Sequence, residues 1–213
     1  MHPSILTLLA LLAAYLLGSI PNGLLVARLK GIDIRKVGSG NIGATNVFRS
    51  VGKFWGILTF ICDALKGLIP AWLFPQLAGE PGAALGIFCG ALAIAGHNWP
   101  IFLKFKGGKG VATSAGVLLG IAPAAVGIGL LSWLILFLST RYVSVASIGA
   151  ALVVPLAGWF LYRDGLLLPI TLTVLGLVTI VRHQANLRRL IAGTEHRFEF
   201  GKKTPTEHTE KHG

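Results

Sequence analysis

Apolar positions along the chain come in long unbroken blocks, without the alternation of a half-buried strand or the one-sided stripe of a water-soluble helix. Uncharged runs cover residues 3–27, 81–103, 110–140, 142–162 and 165–181, and a sixth, 54–78, is interrupted only by Asp63 and Lys66. A helix needs roughly 18 apolar residues to cross the hydrocarbon core of a bilayer. The pattern therefore predicts an all-α, polytopic membrane protein. No Lys or Arg precedes the first run, while Arg28 and Lys30 follow it, the reverse of a cleavable secretory signal. That run is expected to stay in the membrane with the N-terminus outside.

The number of crossings follows from where the cations fall, because Lys and Arg in short loops mark the cytoplasmic side. Residues 28–53 hold six of them, 104–109 three, and the stretch from Arg182 onward seven, whereas the connection at 77–81 has none. Lys109 and Arg182 both belong inside, yet three apolar runs separate them, and an odd number of crossings cannot return. The run to divide is 110–140, where Gly120-Ile121-Ala122-Pro123 interrupts it, since proline removes a helix hydrogen bond and disfavours helix just before itself. Dividing it gives seven transmembrane helices with the C-terminus in the cytoplasm, Arg141 inside and the self-neutralising Arg163-Asp164 outside. Five or six crossings are the alternatives.

Composition excludes a soluble domain: 54% of the residues are hydrophobic and 13% charged, with a mean hydropathy of +0.73, against about 25% charged in soluble chains. A net charge of +11 on a soluble protein would suggest nucleic acid. Here sixteen of the nineteen Lys and Arg sit in the three basic segments of one membrane face, and no nucleic-acid partner is expected. Cys62 and Cys89 lie in apolar runs and read as small hydrophobes. No acidic or cysteine cluster completes a metal site, and no metal or cofactor is expected. The chain reads as one membrane domain over residues 1–198 and a polar tail over 199–213, with fraying expected from Thr194 and no role for His208 and His212.

Chemistry is sought where polar residues appear that a bilayer does not select. The first such cluster is Gly38-Ser39-Gly40-Asn41-Ile42-Gly43-Ala44-Thr45-Asn46-Val47-Phe48-Arg49. It contains the letters G-x-G-x-x-G, but a dinucleotide fold needs a strand before them and a βαβ unit around them. What remains is glycine backbone able to converge on an anion, neutral hydrogen-bonding groups at Ser39, Asn41, Thr45 and Asn46, and a permanently charged fork at Arg49. The second is Lys106-Gly107-Gly108-Lys109-Gly110, a glycine nest carrying ammonium groups at the membrane boundary. Lys104 and Lys106 also suit membrane anchoring, and His97, just before this loop, suits an interfacial hydrogen bond. The third is Arg182, His183, Asn186 and Arg189, whose spacing predicts a short helix with one polar face. Asp63 and Lys66, three residues apart in an apolar helix, read as a mutual ion pair, with Asp63 as a general base the alternative.

These motifs, together with Gly18-Ser19-Ile20-Pro21, the stretch Asp63-Ala64-Leu65-Lys66-Gly67, and Arg188-Arg189-Leu190, resemble the bacterial acyl-phosphate:glycerol-3-phosphate acyltransferase family, in order, from about Ala14 to Phe198. The resemblance implies an integral enzyme of the bacterial cytoplasmic (inner) membrane with seven helices and a site facing the cytoplasm. It implies transfer of a fatty acyl group from acyl phosphate to the sn-1 hydroxyl of glycerol 3-phosphate, giving lysophosphatidic acid and phosphate in phospholipid synthesis. It further implies that Arg49, Lys109 and His183 serve catalysis, and that they contact the phosphorylated substrates together with Ser39, Asn41, Thr45, Asn46, Lys106, Arg182 and Asn186. Gly40, Gly43, Gly107, Gly108 and Gly110 line the same pocket. Gln184 stands where a basic residue is expected in many relatives. An anion carrier is the competing class, but carriers bind near the bilayer midplane and often show repeated halves, whereas these motifs gather at one surface.

Overall fold

A computed structural model describes residues 4–199 as helices, turns and loops, with no strand among them. Residues 1–3 and 200–213 lie outside the described residues, and with them the expected side of the N-terminus, most of the polar tail, and His208 and His212. The first apolar run becomes α1 (Ile5–Ser19) and α2 (Asn22–Arg28), bent by 41° where Pro21 intervenes. Ser4 caps α1 by accepting from the Thr7 amide at 3.1 Å. α3 (Ala44–Ser50) is a short helix in the first basic segment, and α4 (Lys53–Trp72) with the single turn α5 (Phe74–Leu77) carries the run containing Asp63 and Lys66. α6 (Ala83–Asn98) ends at the second basic segment.

The run 110–140 is divided, as its proline predicts. α7 (Val111–Ile121) stops at Ala122, and α8 (Pro123–Thr140) starts on the proline itself, where a missing N–H costs nothing. α9 (Val143–Leu161) follows, then α10 (Leu167–Arg182) and α11 (Gln184–Ile191), which meet at a 52° bend on His183. Among the described residues four helical stretches are long and apolar enough to cross a bilayer, or up to six if each bent pair is one span. α7 has 11 residues and a length of ~16 Å, about half the hydrocarbon core, so the seventh expected crossing falls on a helix too short to span by itself.

α4 packs on α6 and α7, and α1 on α6, while α8, α9 and α10 form a second group joined to the first through α7 and α6. The α4–α7 crossing requires glycine: a Cβ on Gly116 would lie 1.9 Å from the Ala64 carbonyl oxygen, so the two backbones touch. Leu24, Ala27, Ile34, Val47 and Val51 make one buried cluster that fixes α2, α3 and the loop between them. The outward faces are apolar, with Leu12, Ile135, Leu138, Leu156 and Phe160 exposed, a surface suited to lipid and not to water.

Candidate functional site

A cavity of about 430 Å³ opens where the loop before α3, the glycine loop before α7, and α11 come together. Its polar walls include Ser39, Asn41, Thr45, Arg49, Lys109, His183, Asn186, Arg189 and Glu195; its apolar walls include Ile57, Phe60, Ala115, Leu130, Trp133 and Phe137. A smaller apolar cavity of about 90 Å³ shares Val111, Ala115, Leu130, Trp133 and Ser147 with it and continues between α8, α9 and α10. All three basic segments thus contribute to one cleft, which runs from a cationic end into an apolar one.

Asn46 is the hub of the first loop. Its Nδ2 donates to the carbonyls of Ile34 (3.1 Å), Val37 (3.0 Å) and Asn41 (2.9 Å), and its Oδ1 accepts from the Ser39 amide at 3.0 Å. The carboxamide is used up in this way: Asn46 borders the cavity, but its amide shapes the loop. The Ser39 and Thr45 hydroxyls have no hydrogen bond among the described residues, so they remain available to a ligand. Asn46→Ala would orphan an amide and leave three carbonyls short of a donor at a site 3% exposed, at a cost of about 2–3 kcal/mol. The expected result is a lower melting temperature in detergent and loss of activity, read by scanning fluorimetry and turnover.

Lys109 Nζ donates to Asn186 Oδ1, Asn186 Nδ2 donates to Glu195 Oε1 at 2.6 Å, and Arg189 Nε donates to Glu195 Oε2 at 2.7 Å. Burial, and then the neighbouring Arg189, Arg49 and Arg182, push the Lys109 ammonium down to about 8, with Glu195 opposing. Burial likewise lowers Arg49 from its ordinary value. Glu195 is lowered as well, which for a carboxyl favours the charged form: burial raises it, but hydrogen bonds from Asn186 and Arg189 outweigh that and hold it below the usual carboxylate range. This end of the cleft crowds Arg49, Lys109 and Arg189 around Glu195 and is short of negative charge, which is the condition for gripping an anion.

The glycine loop is held from one side by Arg182, whose Nε donates to the Gly108 carbonyl at 3.1 Å and whose Nη2 donates to those of Gly107 (3.1 Å) and Gly108 (2.6 Å). Its guanidinium also lies over the Trp99 ring, 5.6 Å from the centroid. Arg182 is therefore spent on the loop backbone and is not a wall of the cavity. The reason is the bend at His183, which turns Arg182 away from the face that Asn186 and Arg189 share. Gly40, Lys106, Gly107 and Gly108 are also outside the walls, and Lys106 is exposed. His183 Nδ1 sits 2.8 Å from the Thr179 carbonyl oxygen; a carbonyl only accepts, so Nδ1 carries the proton and Nε2 of the neutral ring is an acceptor.

Ser39, Asn41, Gly43, Thr45, Asn46, Arg49, Lys109, Gly110, His183 and Asn186 all border the cavity, in line with their placement in the three motifs. Sequence reasoning missed Ser144, Ser147, Glu195, His196 and Phe198. The serines lie in an uncharged run and carry no local signal. The others belong to a stretch expected to fray, which instead packs across the cleft: Arg49 Nη2 donates to the His196 carbonyl at 3.3 Å, the Phe198 amide donates to the Arg141 carbonyl at 2.7 Å, and the Phe198 ring meets Phe48 and Phe137 at 5.8 and 5.3 Å. Among the described residues no three His, Cys, Asp or Glu side chains gather as metal ligands.

A family model described as "Glycerol-3-phosphate acyltransferase" matches residues 8–193. A glycerol-3-phosphate acyltransferase of Trichlorobacter lovleyi is 50% identical over 188 residues, covering 87% of this chain and 94% of its own. The protein of that name from Aquifex aeolicus is 46% identical over 187 residues, covering 87% and 95%. Among solved structures, PlsY (YgiH), an integral membrane glycerol 3-phosphate acyltransferase, superposes in its glycerol 3-phosphate form with a TM-score of 0.82 at 45% identity, covering 91% of this chain and 96% of that one. Its lysophosphatidic acid form gives 0.79 at 44% identity, covering 91% and 95%.

Proposed function

The chain belongs to the glycerol-3-phosphate acyltransferase family, and from that premise we propose that it transfers a fatty acyl group from acyl phosphate to the sn-1 hydroxyl of glycerol 3-phosphate. The observation that carries this reading is the two-part cleft: a cation-crowded polar end, suited by charge to phosphate, opens directly onto an apolar wall suited to a hydrocarbon chain. The products are lysophosphatidic acid and inorganic phosphate. The gathering of three basic segments supports a site on the cytoplasmic face of a bacterial inner membrane, by the positive-inside rule, with α7 counted as a short seventh membrane segment.

An acyl phosphate is a mixed anhydride with a good leaving group, so the main work is to hold two anions together and aim the hydroxyl. Lys109 and Arg49 offset the repulsion between phosphates, and the unpaired Ser39 and Thr45 hydroxyls supply neutral contacts. The hydroxyl oxygen attacks the acyl carbon, the carbon–oxygen bond to phosphate breaks, and the hydroxyl proton passes to a substrate phosphate oxygen. His183, its Nδ1 tied to Thr179, accepts through Nε2 from the sn-2 hydroxyl of glycerol 3-phosphate and so orients the neighbouring sn-1 hydroxyl, whose proton stays free to pass to phosphate.

The test is incubation of the purified protein in detergent with acyl phosphate and glycerol 3-phosphate, followed by analysis for lysophosphatidic acid. Formation of product without any sealed compartment is expected; absence of product, together with phosphate flux in vesicles, would make the protein a carrier. In the same assay His183→Gln should slow turnover about 10²-fold without abolishing it. Complete loss with both substrates still bound would make His183 the base.

A further inference from the structure

Three buried groups remain outside this chemistry: Asp63, Lys66 and His97. Asp63 Oδ1 receives Lys66 Nζ at 3.0 Å and Asn22 Nδ2 at 3.1 Å, while Lys66 Nζ also donates to the Ile20 carbonyl at 2.7 Å. His97 faces the same oxygen, its Nδ1 at 3.8 Å and without a hydrogen-bond partner. The expected mutual pair is thus the core of a larger cluster that ties α2, α4 and α6 together. Unlike an ordinary core ion pair, it reaches the cleft, since Asp63 and His97 are both cavity walls.

His97 meets the glycine loop at the residue before Lys109. Its carbonyl accepts from the Gly108 amide at 3.0 Å. A Cβ at Gly108 would lie 2.1 Å from His97 Nε2, and one at Gly107 would lie 2.1 Å from the His97 carbonyl oxygen. The loop is therefore clasped between His97 beneath and the Arg182 guanidinium on its carbonyls. At 3.8 Å and without a hydrogen bond, the buried carboxylate acts on the ring through its charge and favours the proton on Nδ1.

We propose that His97, backed by Asp63, is a positioning residue that sets the height of Gly108 and so the reach of Lys109 toward a substrate phosphate. The proposal rests on the acyl-transfer reading above. His97 does not itself touch the reacting atoms; it acts through the backbone of Gly107 and Gly108.

The test is a double-mutant cycle on the full chain in detergent, with kcat and KM measured for both substrates. Gly108→Ala drives its methyl into the imidazole and should lower kcat/KM on the order of 10²-fold, mostly through the KM of the substrate that Lys109 holds, as for a group displaced by about 1 Å. His97→Ala should cost about tenfold by itself. The double variant His97→Ala/Gly108→Ala should recover to within a few-fold of His97→Ala, because the methyl enters the vacated space. His97→Gln keeps bulk beneath the loop and should not rescue Gly108→Ala. Additive losses in the double variant, or equal rescue by Ala and Gln, overturn the positioning role. An inactive wild type sinks the acyl-transfer reading, whereas an active wild type with additive variants sinks this proposal alone. If His97→Ala does not yield folded protein, His97→Ser is used in the same cycle with the same expected and overturning results.

Discussion

Lys109→Ala is expected to lower kcat/KM about a thousandfold, the largest single loss in the cleft. The figure corresponds to ~4 kcal/mol at ~1.4 kcal/mol per tenfold, within the range for truncating one partner of a buried, hydrogen-bonded charge pair. Two effects combine: the phosphate loses its cation, and Asn186 Oδ1 loses its donor. The ammonium also gives the enzyme an alkaline limit. With Lys109 pushed down to about 8, it is protonated below that pH and binds a phosphate dianion as it stands. Above it, binding must first take up a proton. The KM of the substrate held there should therefore be flat between about pH 7 and 8, where the phosphate is a dianion, and rise about tenfold per pH unit above 8. Lys109→Arg, charged at every accessible pH, should remove that rise even where its geometry costs activity. A rise that persists in the arginine variant would belong to another group.

Glu195→Ala is expected to be the most damaging change to the fold of the site. It strips the acceptor from Asn186 Nδ2 and Arg189 Nε and leaves Arg49, Lys109 and Arg189 without an internal counter-charge. The loss should be about 3 kcal/mol, the lower end for a broken buried pair, because Arg189 is 33% exposed. For a domain of this size that is a fall of roughly 10 °C in melting temperature. Glu195→Gln keeps an acceptor and should lose less stability. Without the opposing charge Lys109 should fall further, so the alkaline rise in KM should move below pH 8. The carboxyl's folded value is held under its ordinary 4.5. Its stabilising contribution is therefore present above that pH and is lost as pH falls through the folded value. A Glu195→Gln protein as stable as wild type at neutral pH, with an unmoved KM profile, would show that the carboxylate neither braces α11 nor sets the field at Lys109.

Much of this arrangement was legible in the residues. Pro123 predicted the break that separates α7 from α8 because the loss of its N–H acts locally. Pro70 and Pro155 are nevertheless carried inside α4 and α9, so it was the cation count that singled out this run for division. The three motifs were legible because glycines, amides and cations stand out against uncharged runs. Asp63 and Lys66 were legible as a pair because helical spacing alone brings them together. Asn22 and His97 were not, since they join Asp63 from other helices only after the bundle packs. Arg182 shows the opposite error. Helical spacing set it on a face with Asn186 and Arg189, but the 52° bend at His183 breaks the periodicity on which that inference depended. Glu195 follows a helix in a polar stretch with no periodic pattern, and nothing short of the folded cleft gives it a partner.

The segment 194–199, which lies across the cleft and supplies Glu195, also sets an order in time. The ribosome delivers the chain N-terminus first, and membrane helices enter as they emerge. Arg49 and Lys109 are therefore made long before Glu195, the carboxylate that accepts hydrogen bonds from Asn186 and Arg189 beside them. Until residue 195 arrives, a nascent chain holds unbalanced cations facing one another. A chain released before residue 195 therefore carries the basic motifs that line the cleft but lacks the carboxylate that braces Asn186 and Arg189.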